Sequence, residues 1–275
     1  MGAVSTAFIT QFGAEVKHAY QQVKPKIVSA TRVHRNVVGS TYTFQKLGAL
    51  TANTRSARNA DITALSPDHT SVNATLADYF AGVYLDDLDR MKTNVDVRRE
   101  YVMGTTAAIA RKQDGVVVAA LDAATMATGH TIAHGSAGLT QAKILEASKL
   151  LNLQDVPVED RFLVVSPAQL EDAMGVSTIT SADYQIANVA QGLLTGQINK
   201  AFGFTWIISN ELSVATGVRS CWAFDRNAVG TAIGHDMSVK INYSPDKDSH
   251  LVLAKTAIGA AVIDTNGVVE VQCSE

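Results

Sequence analysis

Cysteine is scarce in this chain: Cys221 and Cys273 are the two present in 275 residues. Two thiols are too few for a disulfide scaffold, so a reducing cytoplasm is the expected place of folding. Long apolar runs are missing as well. No stretch approaches the roughly 20 consecutive apolar residues that a membrane-spanning helix needs, and the expectation is a chain without membrane contact. The opening, MGAVSTAFITQFGAEVK, lacks the basic start and apolar run of a secretory signal. An excess of positive charge is also absent. The net charge of −3 and isoelectric point near 6.2 argue against a general nucleic-acid binder. What remains suits a folded chain: 47% hydrophobic and 18% charged residues can build a core in one large domain or two intertwined ones.

The total charge hides an asymmetry. Residues 1–60 hold eight bases (Lys17, Lys24, Lys26, Arg32, Arg35, Lys46, Arg55, Arg58) against one acid, Glu15, a net +7. The rest of the chain nets −10. A basic arm on an acidic body can bind nucleic acid or the body of a neighbouring copy. Aromatics interleaved with the bases would favour nucleic acid. Here the aromatics follow helix or strand periodicity, which favours self-association.

Phe8, Phe12, Val16 and Tyr20 recur every four residues and predict a short amphipathic helix that Pro25 ends. Val38 to Lys46 is rich in β-branched and aromatic residues and predicts a strand. Leu47 to His69 has neither period and reads as a long loop tip. A second alternating run, Thr70 to Tyr79, puts Val72, Ala74 and Leu76 on one face. Two strands joined by so long an irregular loop make a projecting arm, and such loops are usually functional. Val95, Val102, Ile109 and Val116 are spaced by seven and predict a spine helix over Asn94–Thr125, about 45 Å long.

The middle of the chain reads as an α/β layer. Gln141–Leu151 is helical, RFLVV (Arg161–Val165) is a buried strand, and Ser166-Pro167-Ala168-Gln169 supplies an N-cap, a first-turn proline and a capping-box Gln. A further helix is expected over Ser181–Ala190, and a strand over Phe202–Ser209. The final fifth is β: CWAF, VGTAIG, MSVKINY, HLVLAKTAIGAAVI and VVEVQ. Strands at both ends with helices between predict an α+β fold whose ends pair.

No constellation completes a catalytic or metal site, and no cofactor is expected. His130 and His134 have a metal-ligand spacing, but Gly129 and Gly135 make them exposed loop histidines without a third ligand. Gly135-Ser136-Ala137-Gly138 lacks the order of a nucleophile elbow and the ending of a phosphate loop. Asp86, Asp87 and Asp89 precede the spine helix as dipole partners. Asp246, Lys247 and Asp248 read as a solvated turn. Cys221, Trp222 and Trp206 read as core.

In order and texture these pieces resemble the major capsid proteins of tailed bacteriophages with the Hong Kong 97-type fold. The order is an N-terminal arm (1–37), an extended loop (38–79), a peripheral domain with the spine helix (80–127 and 234–275) and an axial domain (128–233). GLLTGQINKAFGFTWIISNEL, Gly192 to Leu212, is the most specific match, with its Gly196 turn, Gly203-Phe204 strand start and Ser209-Asn210 strand end. AVSTAFITQF and TFQKLG match one branch of such subunits. The resemblance implies a non-enzymatic structural protein of the virion. Its copies would form hexamers and pentamers that close into an icosahedral shell around double-stranded DNA, inside the bacterial host cytoplasm. It also implies a separate scaffolding protein, a portal and, in some shells, a decoration protein.

The charge asymmetry then places inter-subunit contacts on Arg32, Arg35, Lys46, Arg55 and Arg58, with Arg55 and Arg58 foremost. Some members join subunits by a Lys–Asn isopeptide bond; Lys46 is in the right loop, but a surface strand lysine is the simpler reading. Three rivals stand beside the phage shell. An encapsulin-like nanocompartment shares the fold. A small α/β hydrolase would use Ser136 or Ser166, though no His–Asp partner is positioned. A monomeric DNA-binding protein would rely on the basic arm alone.

Overall fold

A computed structural model describes residues 21–55, 57–59, 61, 64–86, 97–175 and 200–275. The helices expected around Phe8–Tyr20 and Ser181–Ala190 fall outside those residues. The first strands are β1 (Arg32–Arg35), β2 (Thr41–Leu47), β3 (His69–Thr75) and β4 (Ala77–Asp86), followed by helix α1 (Val97–Ala123). Next come β5 (Thr131–Ile132), α2 (Gln141–Leu153), β6 (Arg161–Val165) and α3 (Pro167–Met174). The remaining strands are β7 (Lys200–Ala201), β8 (Phe204–Ile208), β9 (Val214–Ala215), β10 (Val218–Asp225), β11 (Val229–Ser244), β12 (Ser249–Val262) and β13 (Val268–Ser274).

Three sheets result. One has four strands in the order β1-β11-β12-β4, with β1 parallel to β11 and the other pairs antiparallel. A seven-stranded sheet runs β5-β13-β10-β6-β8-β7, with β9 paired to β10. The third is the hairpin β2-β3. The ends of the chain do pair: Arg32 aligns with Gly230, and Asp78 with Ala257. VGTAIG and MSVKINY form one strand, β11, whose register shifts between Ile233 and Ser238. The final strand, β13, joins the seven-stranded sheet between β10 and β5.

The run Thr70–Tyr79 is divided between two sheets. Its first part, β3, pairs with β2, and its second part, β4, pairs with β12. Gly259 permits the step: a Cβ there would lie 2.2 Å from the Thr75 carbonyl oxygen, so only glycine lets the two backbones touch. Leu76 N–H donates to Ser40 O at 2.8 Å and closes the base of the hairpin.

Helix α1 spans 27 residues, about 40 Å. It lies on one face of the four-stranded sheet, where Gln113 Nε2 donates to Thr256 Oγ1 at 3.2 Å and Lys112 Nζ sits 4.9 Å above the Tyr79 ring. Its buried stripe is Ala107, Ala110, Asp114, Val117, Val118 and Leu121. Of the heptad series, Ile109 is buried, Val102 and Val116 are half-buried, and Val95 lies outside the described residues. A straight helix on a sheet follows its own 3.6-residue period, not the 3.5 of a supercoil. The main core fills the space between α1, α2 and the seven-stranded sheet. It includes Trp206, Trp222 and Cys221 as expected, and also Ile27, Val28 and Ala30 from the segment before β1.

Candidate assembly surface

The hairpin β2-β3 is built to stand on the body and project from it. Phe44 and Ala74, on its inner face, are buried against Ala232, Ala261 and Ile263. Gly230 makes room for the Phe44 ring: a Cβ there would lie 2.6 Å from Cζ. Tyr42 lies between His34, tilted against it, and Phe44, edge-on to it, with ring centroids 4.3 and 4.8 Å away. Beyond the strands, Gly48 N–H donates to Asp68 O at 2.8 Å and closes the neck of the loop. The loop's described residues are almost all exposed.

The five basic residues singled out from the sequence fall into two groups. Arg35 Nη1 contacts Asp236 Oδ1 at 2.5 Å, and Lys46 Nζ contacts Asp264 Oδ1 at 2.7 Å, so both are ion-paired within their own chain. Lys46 thereby pins the outer end of β2 to the turn before β13. Arg32, Arg55 and Arg58 are exposed and have no ion-pair partner among the described residues. The structure therefore pairs Arg35 on β1 and Lys46 at the loop end of β2 within the chain, and leaves Arg55 and Arg58 exposed in the loop beyond.

Among the buried charges that escaped the sequence reading, two stand out. Asp114 is fully buried in the middle of α1 and accepts hydrogen bonds from the segment Gln22–Val28. Lys143, on α2 and 8% exposed, donates from Nζ to the carbonyls of His134, Ala137, Gly138 and Gln272 at 2.8–2.9 Å. That caged ammonium, with Asp172 Oδ2 accepting from Leu139 N–H at 2.9 Å, shapes the glycine-rich loop before α2. Asp114 follows Arg111, Lys112 and Gln113, and those polar neighbours concealed it.

One expectation is corrected. His130 is buried, not exposed; its Nδ1 lies 3.0 Å from Val268 O, because the loop folds back onto β13. His134 accepts the Ser136 N–H on Nδ1 at 3.0 Å, and both Gly135 and Ser136 have positive φ, as a loop requires. Ser166 caps α3, accepting from Ala168 N–H at 3.3 Å, and its hydroxyl also contacts the buried Gln169 amide. The Cys273 thiol beside it, together with burial, pushes the Cys221 thiol well above its ordinary value, which suits a core residue. Pro245–Lys247 is a 3-10 turn with Asp248 left-handed, as the turn reading requires. Asp86 ends β4, while Asp87 and Asp89 lie outside the described residues. In the Gly192–Leu212 motif the residues before Lys200 are also outside them. Gly203, at φ 81°, turns β7 into β8, and Ser209 Oγ accepts from Glu211 N–H at 3.2 Å beyond it. Among the described residues no group of three or more His, Cys, Asp or Glu is placed to hold a metal, and no helix is long and apolar enough to cross a membrane.

The fold recurs in solved phage structures. The capsid of Cyanophage P-SCSP1u superimposes with a TM-score of 0.75 at 19% identity, covering 98% of this chain and 94% of that one. A chain from Mycobacterium phage Che8 gives 0.74 at 20% identity, covering 97% of both. The capsid of Ralstonia phage GP4 gives 0.73 at 12% identity, covering 100% of this chain and 97% of that one. The arrangement is the Hong Kong 97-type α+β fold. No match was found among curated proteins. Residues 4–275 match the family described as phage capsid protein, and with its hairpin, spine helix and paired ends this chain belongs to that family as a structural capsid subunit of the virion.

Proposed function

We propose that copies of this chain assemble as hexamers and pentamers into an icosahedral phage head that encloses double-stranded DNA without reading its sequence. The observation that carries the reading is the hairpin. A 21-residue connection, 48–68, follows a stem seated by Phe44 and pinned by Lys46, and it presents Arg55 and Arg58 exposed and without an ion-pair partner among the described residues. A free capsid subunit has no internal use for such a loop, whereas a neighbouring acidic body supplies a partner for it. Arg32 on the exposed edge strand β1 is a second contact of the same kind. Arg35 and Lys46 act one step back, by fixing the base from which the loop reaches out.

The domain division follows the sheets. Residues up to β1 form the arm, the hairpin and its loop the extension, the four-stranded sheet with α1 the peripheral domain, and the seven-stranded sheet with α2 and α3 the axial domain. On this reading β13 belongs to the axial domain. Assembly takes place in the host cytoplasm with a separate scaffolding protein and a portal, and a decoration protein is a further partner of the finished shell. The test is the double charge reversal Arg55→Glu with Arg58→Glu. Electron microscopy of the purified variant is expected to show folded, unassembled subunits where the parent chain gives uniform round particles. Normal shells from the variant would overturn the assignment of the loop.

A further inference from the structure

We propose that Asn266-Gly267, in the turn between β12 and β13, is a self-modification site, where the asparagine side chain closes onto the next backbone nitrogen and reopens as isoaspartate. The pair is the sole Asn-Gly in the chain. Its glycine is imposed by packing: a Cβ at 267 would lie 2.7 Å from the Ala228 Cβ, which has no rotamer to turn aside. Glycine in turn leaves its backbone nitrogen without a side chain to shield it. Asn266 beside it is exposed, so water and base reach its amide. The step balances with water alone. A base takes the Gly267 N–H proton, the nitrogen attacks Asn266 Cγ, and the side-chain amide leaves as ammonia. Water then opens the cyclic imide. Opening at the former backbone carbonyl routes the main chain through Cγ, one methylene longer, and leaves a new carboxylate.

The native turn holds this reaction back. Thr265–Gly267 is a 3-10 turn, in which Gly267 N–H donates to Asp264 O at 3.2 Å and Asn266 N–H to Asp264 Oδ1 at 3.0 Å. Attack requires the first of these bonds to break and the nitrogen to swing toward Cγ. Asp264 is itself held on two sides. Its Oδ1 meets Lys46 Nζ at 2.7 Å, and its N–H donates to Ala228 O at 3.2 Å, beside the Ile263 N–H at 2.7 Å. The ion pair that pins the hairpin stem is therefore also the latch on the turn. Modification works back on it, because a longer backbone at 266 shifts Asp264 against Lys46.

The test incubates the full-length chain in mildly alkaline buffer and maps isoaspartate by enzymatic methyl labelling and peptide mass spectrometry. The label is expected at residue 266 ahead of every other asparagine, fastest in urea, slower in the folded chain, and absent there from Asn266→Gln. Lys46→Met is expected to quicken labelling of the folded chain roughly twofold to fivefold, the range of a partly exposed ion pair, and to leave the rate in urea unchanged. Circular dichroism checks that the variant folds; should it not, Asp264→Asn, which keeps an accepting oxygen for the Asn266 N–H, takes its place. Isoaspartate spread evenly over the asparagines, or none at 266 in the folded chain, would overturn the site. Equal rates in the folded parent and the folded variant would overturn the latch.

Discussion

The carboxylate of Asp114, midway along α1, accepts the backbone N–H of Ile27 at 2.9 Å in a site closed to solvent. The N–H groups of Lys26 and Val28 reach the same carboxylate at 2.8 and 3.2 Å, and Gln22 Nε2 at 2.5 Å. Lys26 then extends its Nζ to Ile208 O at 3.0 Å. The segment before β1 is therefore a strap, tied to the spine helix on one side and to β8 of the seven-stranded sheet on the other.

Removing the carboxylate strands two buried backbone donors, at Ile27 and Val28, and a part-buried third at Lys26. Asp114→Ala is expected to cost about 3 kcal/mol or more, since each unpaired buried donor carries its full desolvation penalty. Asp114→Asn keeps one accepting oxygen and should cost less. Urea unfolding measures the loss, and hydrogen exchange should show protection at residues 26–28 falling before that of α1. Unchanged protection there would show that the strap is held by its apolar side chains alone.

Lys143→Met keeps the apolar stem and deletes the ammonium that gathers four carbonyls. The expected loss is about 2–4 kcal/mol, as hydrogen bonds to a charged group contribute more than neutral ones. Amide exchange in the loop 134–138 should quicken selectively. Stability equal to the parent chain would mean that water satisfies those carbonyls without help.

Two glycines separate backbone crowding from side-chain crowding. Gly259→Ala drives a Cβ to 2.2 Å from the Thr75 carbonyl oxygen, which cannot rotate away, whereas Gly230→Ala meets the Phe44 ring, which can turn. The first should cost about 3 kcal/mol and the second nearer 1, within the usual range for overpacking. Thermal unfolding of the two variants gives the order; a reversed order would refute the account of how the hairpin steps onto the sheet.

Acid should weaken one identified contact. The Arg219 guanidinium grips the Glu275 side chain at 2.5 and 2.9 Å and, with Gln169 and Ser166, holds its carboxyl down to about 2. A carboxyl lowered in the folded state stabilises the fold above its unfolded value of about 4.5, and that contribution disappears as pH falls through the folded value. Between pH 5 and 2 the parent chain should lose more stability than Arg219→Ala does. The difference is about 1 kcal/mol at most, because the pair is open to water. Urea titrations of both chains across that window measure it, and parallel curves would remove the pair from the acid response.

Local signals were legible in the sequence. The β-branched run before the loop, the cap at Ser166 and the buried RFLVV strand each depend on neighbours a few residues away, and each stands where it was expected. Asp114 and Lys143 escaped the sequence reading and His130 was read as exposed, for related reasons. Periodicity assigns a charged or glycine-flanked polar residue to solvent, and partners far along the chain help reverse that, joined for Lys143 by three carbonyls of the loop just before α2. Ile27 for Asp114, Gln272 for Lys143 and Val268 for His130 lie 87, 129 and 138 residues away. The same distance hid the division of Thr70–Tyr79 between two sheets, which depends on Gly259. Of the candidate contacts, their basic character was visible; which of them are already satisfied at home was not.

The pairing of early with late strands has a kinetic side. Arg32 waits for Gly230, Asp78 for Ala257, and β5 for β13, so neither large sheet can close on the first two-thirds of the chain. Such long-range pairing makes folding slow and all but simultaneous with completion of synthesis. A ribosome-bound fragment that lacks β10 to β13 consequently holds neither large sheet in finished form.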